Sequence, residues 1–103
     1  MTYNDLMIRY QTDSREIPTA PTTGAAPKWF RVYVRSNAVY VGSGRAHANA
    51  CSVSPDRRLR QTEFEPMLSL YRRRRAGERV AQEAAAMSIN ASYWFGIFKD
   101  MDA

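Results

Sequence analysis

The chain is poor in three things: it has one cysteine (Cys51), one histidine (His47) and two lysines among its 103 residues. It also has no apolar run approaching the roughly 20 residues that a membrane helix needs, so no membrane span is expected. A lone cysteine has no partner for an internal disulfide, which fits a reducing compartment. One Cys with one His cannot supply the four ligands of a common zinc site. Cys51 and His47 lack the orienting third group and the oxyanion donors that a nucleophile pair requires, so Cys51 reads as a small apolar residue. Gly42 and Gly44 lack the spacing, and the Lys-Ser/Thr pair, of a phosphate loop. No acid pair, metal set or nucleophile constellation stands out, so the expectation is no enzyme, no catalytic residue, no metal and no cofactor. The stretch MTYNDLMIRYQ mixes acid and base among its apolar residues and has no signal-peptide core, which points to the cytoplasm.

What the chain does have is arginine. The formal net charge is +5, and 15 bases face 10 acids. They are unevenly spread: residues 28–75 are strongly basic, while both flanking stretches are weakly acidic. A basic middle of this kind suits an anionic partner, nucleic acid above all. Arginine also suits bidentate phosphate contact and stacking better than lysine.

Hydrophobic patterning gives the elements, which we read as one domain over 1–103. Thr2 caps a short helix with Tyr3, Leu6, Met7 and Tyr10 on one face. Residues 11–27, rich in Thr, Pro and Gly, read as an extended linker-like segment. The clearest β signal is KWFRVYVRSNAVYVG, a hairpin over 28–42 turning at Ser36-Asn37. In that register Val34 faces Val39, Val32 faces Val41, and Tyr33 faces Tyr40. One face is then apolar, and the other carries Trp29, Arg31, Tyr33, Arg35 and Tyr40. After it, Ser54-Pro55-Asp56 reads as a helix start leading into Arg57, Arg58 and Arg60. A three-helix unit over 62–101 closes the chain: Thr62 to about Gly77, Glu78 to Met87, and Asn90 to about Met101. Val80, Ala84 and Met87 are expected to face inward on the second helix, and Trp94, Ile97 and Phe98 on the third. The fold class expected is α+β: N-terminal helix, β-hairpin, C-terminal three-helix unit.

Within that unit, AAAMSINASYWFGI (Ala84 to Ile97) resembles the helix-turn-helix of phage and plasmid repressors and related regulators. A small Ala84 lets two helices cross closely, and Met87, Ile89, Trp94 and Ile97 plug the corner around Ser88. The resemblance covers about 64–98 and implies a DNA-binding regulator, commonly a homodimer on double-stranded DNA. It assigns base edges to Asn90, Ala91 and Ser92. Phosphate contacts would fall to Arg57, Arg58, Arg60, Arg72, Arg73, Arg74, Arg75 and Arg79. The Trp29, Arg31, Tyr33, Arg35, Tyr40 face offers two rivals. It has the chemistry of a stacking platform for single strands, and equally that of a protein-interaction module or inhibitor, with the 11–27 segment assisting. If the N-terminal helix or the linker covers that face, it is instead a second core layer.

Overall fold

The computed structural model describes residues 1–21 and 23–102. The fold is α+β: an N-terminal helix, a four-stranded antiparallel sheet and three C-terminal helices. Among the described residues no helix is long and apolar enough to cross a membrane.

Helix α1 (Tyr3–Thr12) opens with a full capping box: the Thr2 hydroxyl accepts from the Asp5 N–H, and the Asp5 carboxylate accepts from the Thr2 N–H. These bonds satisfy backbone donors that a helix start leaves free. Tyr3, Leu6 and Tyr10 are buried as the spacing requires, with Met7 half-buried. The hairpin also forms as read. Strands β2 (Trp29–Arg35) and β3 (Ala38–Ser43) pair Val34 with Val39, Tyr33 with Tyr40 and Val32 with Val41. Ser36 and Asn37 both take positive φ, 50° and 59°, the twist a two-residue hairpin turn needs.

Two stretches differ from expectation. Within 11–27, Arg15–Pro18 is a strand, β1, paired with β2 at the sheet edge. Ile17 drops into the core, and Pro18 sits at the strand end, where its missing N–H costs no ladder bond. The helix expected after Ser54 is absent. The Asp56 carboxylate turns instead to the Tyr33 hydroxyl and the Arg31 guanidinium, and Arg57–Leu59 pairs with β3 as the short edge strand β4. Burial of Leu59, and a 2.6 Å bond from the Tyr3 hydroxyl to its carbonyl, hold β4 in place.

The long helix α2 runs Gln61–Arg75 and ends at Gly77, which takes φ +97°, the left-handed stop that glycine permits. Helix α3 (Ala81–Met87) starts three residues later than read, because Glu78 is drawn back to Arg73. Helix α4 (Ala91–Asp102) is the centre of the molecule. Its Trp94, Phe95, Ile97 and Phe98 are fully buried in one cluster with Phe30, Val32, Val39, Val41, Phe64 and Met67. The corner residues are a correction: Met87 is 45% exposed and Ile89 82%, so neither plugs the α3–α4 turn. Ser88 closes it instead, donating to Glu63 and accepting from the Asn90 N–H.

Candidate functional site

Alternation along β2 and β3 divides the sheet into two unlike faces. Phe30, Val32, Val39, Val41 and Leu59 join the helices in the core. Arg31, Tyr33, Arg35, Tyr40 and Arg58 stand on the opposite side, the arginines exposed and the tyrosines half-buried. Helix α1 packs with the core, so it does not cover this second face.

The residues there are ordered by one another. The Tyr33 and Tyr40 rings lie 5.6 Å apart at 19°. The guanidinium of Arg31 sits 4.3 Å from the Tyr33 centroid, and that of Arg35 4.7 Å from the Tyr40 centroid. Arg58 stands opposite Tyr40 across the β3–β4 ladder. Cations over ring faces are attracted to the π quadrupole, which orders the two rings and the two arginines against one another. Burial first, and then the hydrogen bond to Asp56, push the Tyr33 hydroxyl above its ordinary pKa, so it stays protonated as a donor. Gly42 makes room for that carboxylate: a Cβ there would lie 2.9 Å from an Asp56 oxygen.

At the far end Trp29 is stacked by the His47 ring at 3.6 Å and 3°. The 44–50 segment is fastened there by Glu16, which accepts from the Arg45 and Ala46 N–H groups and from His47. Those two backbone donors were not legible from composition. The Arg45 N–H first, and then His47, hold the Glu16 carboxyl below its usual 4.5. The tie is therefore complete above that value and is lost as pH falls through the lower, folded pKa. Trp29 fluorescence and exchange of the Arg45 and Ala46 amides, followed from about pH 7 to about pH 3, should change together. Protection that persists at the acid end would show the segment to be held by other contacts.

The other sequence-predicted residues fare unevenly. Asn90 and Ala91 are buried, and the Ser92 carbonyl accepts from the Ala20 N–H. These positions turn into the molecule because α4 packs on β1 and on the chain that follows it. Asn90 and Ala91 are thus largely enclosed, and Asn90 meets solvent at the cleft beside Arg57–Leu59. Arg73 is clamped by Glu83 at 2.8 Å through both terminal nitrogens, and by Glu78 at 3.0 Å. Arg74 donates to the Ala20 and Pro21 carbonyls, and Arg75 pairs with Asp102. Three of the four consecutive arginines thus have partners in the protein. Arg72 and Arg79 are exposed, with no ion pair among the described residues. Arg57, Arg58 and Arg60 lie together at the β4 edge, where Arg57 donates to Asn90 Oδ1 at 3.1 Å. Cys51, expected as a small apolar residue, is half-buried with its Sγ 3.2 Å from the Tyr93 hydroxyl.

Comparison with family models, with curated proteins and with solved structures gives no match.

Proposed function

We propose that this chain binds single-stranded nucleic acid on the open face of its sheet. The observation that carries the reading is the Arg31–Tyr33–Tyr40–Arg35 array, two offset-stacked rings with a guanidinium over each. Bases have π faces of the same size, and stacking on aromatic side chains is tolerant of sequence. In the complex a base takes the guanidinium's place over a ring, and the displaced arginine meets the phosphate beside it. Arg58, exposed next to Tyr40, adds a third positive charge along the same path. A duplex keeps its bases stacked inside, so this face favours unpaired strands. The duplex-reading route through α4 draws no support from buried Asn90 and Ala91.

The test is fluorescence anisotropy against labelled single strands and duplexes over a salt series. Single strands should bind more tightly, with affinity falling as salt rises. Tyr40→Ala should cost about tenfold, the loss of one stacked base. Arg58→Ala should flatten the salt slope by about 0.7, one phosphate contact on a single strand. Arg73→Ala should leave binding unchanged, because its guanidinium is already held by Glu78 and Glu83. Absence of binding at low salt would sink the reading and turn the search to a protein partner for the same face, for which Trp, Tyr and Arg are equally suited.

A further inference from the structure

Beside the β4 edge lies a cleft with a volume of about 810 Å³. Arg57, Arg58 and Arg60 line it from the strand side, Ile89 and Asn90 from the α3–α4 turn, and the first turn of α2 runs between them. Donors dominate. No side chain caps α2 at Arg60, and Gln61 and Thr62, whose N–H groups have no helical acceptor, belong to the lining. Positive helix-end potential and three guanidiniums act together there.

Asn90 is the informative member. The residue is only 7% exposed, and its Oδ1 is taken by Arg57. Its Nδ2 has no hydrogen-bond partner among the described residues, yet it is not sealed from solvent, since no unsatisfied buried side-chain atom remains there. A buried amide fixed at one end and open at the other, in a cleft wall, is a donor waiting for an acceptor. Each of the two acids in the lining turns one carboxylate oxygen to partners within the protein. Glu63 Oε1 accepts from Ser88 Oγ at 2.8 Å and from Trp94 Nε1 at 3.0 Å, and Asp56 is held by Tyr33 and Arg31.

We propose that this cleft is a phosphate-binding site. Arg60 and Arg58 would supply charge, and Asn90 Nδ2 with the first N–H groups of α2 directed hydrogen bonds. The cleft has room for a sugar beside the phosphate, and under the single-strand reading the group is either the phosphate end of a strand or an internal phosphodiester. The phosphate site itself stands apart from the single-strand reading, and only the source of the phosphate rests on it. Arg58 belongs to both, which makes the cleft the continuation of the stacking path around the sheet edge.

The first experiment is titration of the isotope-labelled protein with inorganic phosphate, read by NMR at the Asn90 side-chain amide and the Thr62 backbone amide, against chloride at equal ionic strength. Phosphate should shift both resonances saturably, and chloride should not. Arg60→Gln, an exposed position, should weaken the response about tenfold, while Tyr40→Ala should leave it intact and lose the strand instead. Equal shifts from phosphate and chloride, or a response unchanged by Arg60→Gln, would overturn the site without touching the platform. The source is then settled by single strands with and without a 5′-phosphate. Tighter binding of the phosphorylated strand, abolished by Arg60→Gln, assigns the cleft to strand ends. Equal binding of both, weakened alike by Arg60→Gln, assigns it to internal phosphates.

Discussion

Trp94→Ala is expected to lower the stability of this protein by roughly 3–5 kcal/mol, the range for truncating a fully buried tryptophan. Two losses combine. The indole packs against Tyr3, Phe64 and Phe98, with centroids 6.4, 6.1 and 5.6 Å away, so its removal leaves a cavity bordered by rings from three helices. Those rings cannot collapse into the gap without abandoning their own partners. The second loss is polar. Trp94 Nε1 donates to Glu63 Oε1, and without it this carboxylate keeps only the Ser88 hydroxyl on that oxygen. Trp94→Phe separates the two, since it fills most of the cavity and removes only the donor, and should cost about 1–2 kcal/mol. Urea denaturation of the three proteins checks the order. Equal stabilities would mean that the core is held by the sheet and α2 without α4.

Gly96→Ala should destabilise by about 2 kcal/mol, although alanine is the better helix former by up to ~1 kcal/mol. The added Cβ would lie 2.6 Å from the Pro18 carbonyl oxygen and 3.2 Å from both Phe30 Cε1 and Thr19 Cα. Pro18 ends β1, so the methyl can be accommodated only by pushing that strand from the sheet or tilting α4. A flexible side chain would yield, whereas this backbone does not. Amide exchange should show β1 opening first, with Val32 and Phe30 losing protection on the side that faces it. A variant as stable as the parent, with β1 protection unchanged, would show that the glycine serves no close approach.

The parts of the fold legible in the sequence are those held by local contacts. The hairpin register follows from alternation over seven and six residues around a turn that tolerates positive φ. The α1 cap is four residues of local chemistry, and the stop at Gly77 is one residue's backbone freedom. What was not legible was decided at a distance. Strand β1 is four residues ending in proline and exists because β2 offers an edge. Strand β4 follows a Ser-Pro-Asp sequence that suits a helix start equally well, and the choice is made by Tyr33 and Tyr3, far away in the chain.

For the candidate site the same divide holds. The aromatic-arginine face could be read from the strands, because side-chain alternation is a property of the strand itself. The arginine run could not. Arg73, Arg74 and Arg75 look like free positive charge along the sequence, and their acceptors come from Glu83, from Ala20 and Pro21, and from Asp102. Asn90 belongs with them: its helix position resembles a reading residue, but α4 lies in the core because nearly every side chain from Tyr93 to Phe98 is apolar.

The two-faced sheet has a consequence for how this surface can change. Every residue proposed to touch a ligand on β2 and β3 alternates with one that holds the core, so the two sets share a backbone and hardly any side-chain contacts. Substitutions at 35, 40 and 58 can therefore accumulate without drawing on the packing beneath, whereas 31 and 33 also hold Asp56 at the start of β4 and are bound to the scaffold. A display selection randomising 35, 40 and 58 would use the chain as a small, disulfide-free binding scaffold.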